Sequence, residues 1–428
     1  VFSGDYANID TVSTTVAGAS TASVPISVNV MTTEHTTETE VGEGSISAQK
    51  GEITIAAQAK EGVSGLAING GGAANFAVGA LVNVTRELSD VTTNVHDVGA
   101  ISGSVYNQNA DYLGRLTTMG LNAAGAMYGA GTVSVSVNYA DNGVNSLLNQ
   151  SRLSLTDEVN LNAHRRSDWS FVDVNVAGSI YGSLGTYVAV NTLEGQTQTT
   201  LDQTVIEGLD GKNPDVSILS GNTENFDSTI VGVSGAAFGN VEAMVVVNRY
   251  YGDANLAVNA STINAHDLTL KAYQDHFIDQ TSVTVSGAIG TIQANVLANF
   301  IGDYVEPGET EDSYWDNEDL KGIGSEVNGY VDEYGSASSE SNPGILGSLL
   351  TAGEDYLSDT DKSLIIHSAA TATEAASTAA GTTVTVSGTK IQADTVSITA
   401  EEDRASDAGI EMTVGGGEIG GATIAASV

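Results

Sequence analysis

Cysteine is missing altogether from this 428-residue chain, which excludes disulfide bonds and thiolate metal sites. Basic residues are nearly as scarce: 14 Lys and Arg stand against 53 Asp and Glu, a formal charge of −39. A field of that sign repels nucleic acid and anionic membranes, and it suits a self-repelling surface, divalent cations or a saline exterior. Aromatics reach only 6 % although apolar residues make up 41 %, so the interior must be packed from small and β-branched side chains, which favour strands. The longest apolar stretches, such as Val241–Val247, are too short for a membrane helix, and no membrane insertion is expected. No basic segment followed by an apolar core marks a signal peptide at Val1.

What is present is a repeat. The stretch Val231–Asn248, VGVSGAAFGNVEAMVVVN, has versions at Val16–Asn29, Gly71–Asn83, Ala123–Asn138, Val176–Asn191 and Val285–Asn299. Their terminal asparagines, Asn29, Asn83, Asn138, Asn191, Asn248 and Asn299, follow one another at steps of 51 to 57 residues. A second signature, Ile263-x-Ala265 then Leu268-x-Leu270-x-Ala272, returns at Ile391–Ala400 and Ile46–Ala57. Alternation with period two marks strands with one buried face. The run Val241–Asn248 is apolar on both faces, which asks for a cover on each.

Links this short cannot hold crossover helices, so strands of successive units must stack on one another as a parallel β-solenoid of about 54-residue repeats. Four strand-like runs per unit predict about two coils in each, and some 13 coils would make a rod about 60 Å long. Solenoid repeats are expected over 1–302 and again over 362–428. Both ends fall mid-repeat, as in a piece of a longer chain. Between them, 303–361 loses the period and holds 16 Asp and Glu, one basic residue, five Tyr and Trp315. An insertion of this kind emerges on one face of a solenoid and often carries binding.

The recurrent asparagines point to turn residues or to amide ladders between stacked strands, a structural row rather than a ligand site. In the acidic stretch, Glu311, Asp312, Asp316, Glu318 and Asp319 offer the hard oxygens that calcium prefers, and Asp312, Asp316, Glu318 and Asp319 form the candidate metal set. The spacing matches no EF-hand loop and no glycine-rich nonapeptide calcium repeat. The six histidines, at 35, 96, 164, 266, 276 and 367, hold no fixed place in the repeat and are expected at exposed turns. The doublet Arg165-Arg166 is likewise expected at a turn. No catalytic residue stands out. A carbohydrate-active enzyme on this scaffold, a polysaccharide lyase or glycoside hydrolase, would need acids and a basic residue converging across coils.

On the residues VSGAAFGNVEAMVVVN and LAVNASTINAHDLTLKA, the chain resembles the large filamentous-haemagglutinin-like exoproteins of bacteria, and among them the leukotoxin-type filamentous adhesins. That resemblance implies a right-handed β-helix, secreted and presented at the bacterial cell surface as part of an adhesive or structural fibre. Its partners would be copies of itself or further repeats of the same chain, with surface glycan or protein at the insertion. It carries no functional residue onto this sequence. The expectation is therefore an extracellular fibre segment and not an enzyme, with the carbohydrate-active enzyme as the alternative.

Overall fold

The computed structural model describes residues 1–48, 51–288, 290–301, 381–416 and 420–427. The acidic stretch 303–361 lies outside them. The described residues are almost entirely β, in long parallel ladders of one open sheet. Each turn of the chain consists of two long arms. A first arm, such as Arg152–Ser179, runs out to a tight turn at 180–181, and a second, Gly182–Asp202, runs back. We call the 180–181 end the tip and the other end the base.

Every arm pairs with the equivalent arm one turn later. Phe2 sits opposite Ala56, Ile53 opposite Tyr106, Tyr106 opposite Val159 and Val159 opposite Val216. These steps match the 53, 54 and 57 residues that separate hydrogen-bonded side chains on neighbouring rungs. The longer step is taken up at the base by a turn at Leu209–Lys212, where Asp210 and Gly211 have φ of 54° and 76°. The chain uses the whole of each step to return to register. One unit therefore makes one wide, flat turn, and not the two narrow coils expected. Arms of about 21 residues span about 70 Å, while seven rungs rise only about 29 Å. The long dimension lies across the stack, which overturns the expected narrow rod.

The two arms of a turn face each other as a sandwich. Ser13 Oγ and Ser27 Oγ meet across it at 2.7 Å, and Ser3 Oγ and Thr39 Oγ1 at 2.6 Å. At the base the sandwich opens into a short third side, formed by Val205–Gly208, Thr262–Asn264 and Lys390–Gln392. There the largest apolar core collects Ile55, Leu153, Leu161, Ile218, Leu256 and Leu270 with their neighbours. The second arm enters this corner through a left-handed residue in successive turns: Asp97 (φ 55°), Gln150 (46°), Gln203 (47°), Ala260 (46°) and Gly388 (61°). Only the last is the residue type that bears this conformation without strain.

Toward the tip the pattern inverts. Residues 11–33, 62–85, 117–140 and 174–193 contain no Asp, Glu, Lys or Arg, and 228–248 contains only Glu242, which turns inward. Much of the inside of this half is Asn, Ser, Thr, Gly and Ala, around a small apolar cluster of Tyr187, Ile230, Met244, Val246 and Leu297, while Val, Leu, Ile and Met also cover its outside. The outer side of Val241–Val247 is one part of this surface, and the cover expected over it is not supplied by the alternating arms.

The 302–381 segment joins the second arm at one point. Ile301 lies opposite Tyr250, and Thr382 opposite Ala254, so 80 residues stand where the turn below has three.

Candidate functional site

Four of the six predicted asparagines form one continuous ladder. The Asn138 amide donates to Asn191 Oδ1 at 2.7 Å, Asn191 to Asn248 at 2.7 Å, and Asn248 to Asn299 at 2.6 Å. Asn29 and Asn83 are also paired in register, but Asn83 faces Ser136 and Asn138 faces Thr85. The row is thus displaced by two residues between the second and third copies. The displacement leaves Asn83 Oδ1 and Asn138 Oδ1 buried without hydrogen-bond partners. None of the six has a left-handed backbone; they lie within strands, so the turn role is not theirs.

A second asparagine column, missed from sequence, lies in the tip interior. Asn69, Asn122 and Asn175 are successive register partners. Their amides bridge the arms: Asn69 donates to Ala80 O at 2.9 Å and Asn122 to Val133 O at 2.9 Å, while Asn175 accepts from Ser134 at 2.6 Å. Their regular spacing of 53 was the available signal.

Between base and tip runs a buried line of ionisable groups. Arg165, expected at a turn, is mid-strand and fully buried; it donates to Glu194 O at 2.6 Å and pairs with Glu224. Glu224 also pairs with His276 Nδ1 at 2.7 Å, and His276 Nε2 lies 2.7 Å from Gln274 Oε1. His276 is therefore no exposed turn residue either. Burial opposes charge on Glu224, yet the adjacent Arg165 and His276 hold its carboxyl below the ordinary range. In the rungs on the other side of Arg165, Tyr112 bonds both Glu87 and Glu61. Burial pushes Glu87 up to about 8, against the hydrogen bond from Tyr112. Nearer the tip, burial raises Asp173 to about 6 beside Tyr187, and Glu242 to about 7 beside Ser234. These groups are sealed in the sandwich, so their chemistry is structural: they hold the arms together and store protons.

The exposed chemistry is sparse. A shallow cleft of about 330 Å³ on the second arm is lined by Glu34, His35, Asp90, Asp141 and Gln196 among others. Burial raises Asp141, Arg165 opposes that rise, and Asp90 adds to it. The lining contains acids and one imidazole but neither Lys nor Arg. At the base, Asp215, His266 and Asp267 bring three ligand atoms within 4.8 Å of one another, all exposed. His266 Nδ1 is 2.9 Å from Asp215, whose hydrogen bond raises the imidazole above its ordinary value. The other candidate metal residues, Asp312, Asp316, Glu318 and Asp319, lie outside the described residues. His96 caps the base end of its arm against Glu40 and Asp97, each at 3.0 Å.

A further exposed feature among the described residues is apolar. At the tip, Phe76, Tyr128, Tyr181 and Phe238 stack rung upon rung with ring centroids 6.5, 5.2 and 5.4 Å apart, and each ring is about half exposed. The outer columns of both arms run up to this stack.

No family model, no curated protein and no solved structure matches the chain.

Proposed function

We propose that this chain is a segment of a secreted structural or adhesive fibre at a bacterial surface. In this reading the parallel turns, as a right-handed β-solenoid of about 54-residue repeats, form the body, and 303–361 is an exposed acidic element that binds a surface glycan or protein. The observation that carries it is the seven-rung stack whose outermost described strand, Phe2–Ala19, pairs on one edge only, with Glu52–Ala73. An unpaired edge of 18 residues is a template onto which a strand of another copy can add. The ionisable groups support the same reading. Those held most firmly are buried in the sandwich, and the acid-lined cleft lacks the basic residue that lyase chemistry would use.

Antibodies against the solenoid test this on intact producing cells under the electron microscope. Labelled surface fibres are the expected result; label confined to the cell interior, or release of sugar fragments from a polysaccharide panel by the pure chain, would sink the proposal. Calcium titration of the full chain and of one lacking 303–361 tests the role of Asp312, Asp316, Glu318 and Asp319. Binding should vanish with the deletion, and unchanged binding refutes that role.

A further inference from the structure

We propose that two copies of this chain mate sheet against sheet through the outer face of the first arm's tip half. The middle column of that face is Thr14, Ile68, Leu121, Val174, Val231 and Val283, one residue per rung over six rungs in unbroken register. Mostly apolar, uncharged columns flank it on both sides, Thr229 and Thr281 in one and Gly70 and Ala123 in the other, with Val12, Met119 and Val176 among their exposed members. Three columns over six rungs, at about 6.6 Å by 4.8 Å per residue, cover about 600 Å². With the matching face of the second arm and the aromatic tip, the apolar surface exceeds the 300–600 Å² or so that monomers usually show. Mating the first-arm face alone would bury about 1,200 Å² in total, the lower end of a specific interface.

Three features select a second copy as the occupant. The corrugation repeats at the strand spacing, and only another stack of strands has the same period, so side chains of two such faces interdigitate as in a dry sheet interface. The face lies in the charge-free half of a chain of net charge −39, so here alone two copies meet without local repulsion. The first arm is also the uninterrupted one, whereas 80 residues join the second arm between Ile301 and Thr382. A face paired with itself makes an isologous, two-fold contact that closes at the dimer. This deepens the fibre reading by naming a lateral contact, distinct from growth at the strand edge.

Sedimentation equilibrium of the full chain, at low and high salt, tests it against the variant Leu121→Glu/Val174→Glu. Both positions point outward, so circular dichroism and the melting temperature should hold. The wild type should dimerise, and more tightly at high salt. Two buried like charges per copy should raise the dissociation constant a hundredfold or more. Because the chain has no cysteine, Val174→Cys should give one disulfide-linked dimer on mild oxidation. A wild type that stays monomeric overturns the proposal, as does association that survives both glutamates. Association abolished instead by Asn8→Pro, which removes an edge donor on the outermost rung, would leave the fibre and discard the face. A monomer that floats with phosphatidylcholine vesicles, and loses that with the glutamates, would assign the face to lipid.

Discussion

The base and tip halves of each turn obey opposite rules. At the base, apolar side chains point in and charged ones out, as in ordinary globular packing. At the tip, valines point out, and amides and hydroxyls point in around one small apolar cluster. Both halves are the same strands, continuous through the change, so the backbone ladder does not depend on which face is apolar. What differs is the source of cohesion. The base is held by removal of apolar area from water, while the tip adds to a small apolar cluster many hydrogen bonds between arms and between rungs, such as Asn69 to Ala80 O and Tyr187 to Asp173. The buried ionisable line lies near the boundary, where each rung passes from one regime to the other.

The largest effect is expected at that boundary. Arg165→Met removes the guanidinium and leaves Glu224 buried with His276 alone. Breaking a buried pair from one side costs about 3–5 kcal/mol. Denaturant unfolding should show that loss; a change under about 1 kcal/mol would mean that the boundary is not held by charge.

In the base interior, Leu161→Ala empties a fully buried position of the main core and should cost about 3 kcal/mol. In the tip, Val174→Ala trims an outward residue and should cost under about 0.5 kcal/mol in the monomer. Equal losses in the same unfolding experiment would erase the distinction between the halves.

The polar interior should also impose a pH dependence that an apolar one cannot. Glu87 holds its proton to about pH 8 when folded, against an unfolded value of 4.5. Between these values the native state binds more protons than the unfolded one, so stability is fully present below pH 4.5 and falls as pH rises through 8. Glu242 and Asp173 act in the same direction, up to about 7 and 6. Glu224, held low, acts oppositely but only at pH below the ordinary carboxylate range. At about 1.4 kcal/mol per pH unit, Glu87 alone should cost on the order of 4 kcal/mol from pH 5 to pH 8, and Glu87→Gln should remove the largest share of the total loss. A melting temperature that rises with pH over this interval would contradict the assignment.

The inversion also explains what the sequence revealed and what it hid. Period-two alternation is unmistakable from Leu268 to Ala272, and the asparagine steps identify the rungs. The same alternation hides the length of each arm. Where a strand crosses from base to tip, its apolar residues move from the inner to the outer face, and that shift reads as the end of one strand and the start of another. This is why each unit resembled two coils. Arg165 and His276 read as surface residues for a related reason: burial of a charge depends on partners on other rungs, Glu224 and Glu194, that local pattern does not contain. The exposed cluster of Asp215, His266 and Asp267 is likewise assembled from two rungs.

The smallest effects concern the asparagine ladder, and they test whether the interior amides stabilise or merely tolerate their burial. Asn191 accepts from Asn138 and donates to Asn248, so Asn191→Leu interrupts the ladder in its middle and should cost about 1–3 kcal/mol. If the interior were governed by apolar burial, as at the base, leucine would instead be neutral or stabilising. The converse substitution exploits the two-residue displacement. Thr85 faces Asn138, is fully buried, and its hydroxyl lacks a partner, as does Asn138 Oδ1. An asparagine at 85 places an amide donor in register with that oxygen. Thr85→Asn should therefore extend the ladder by one rung and gain about 1 kcal/mol, the net worth of one buried hydrogen bond. A stabilised variant at 85 together with a destabilised one at 191 would establish that the amide column, and not its apolar surroundings, holds this part of the stack. A loss at both positions would show the column to be full, with the displacement fixed by side-chain volume.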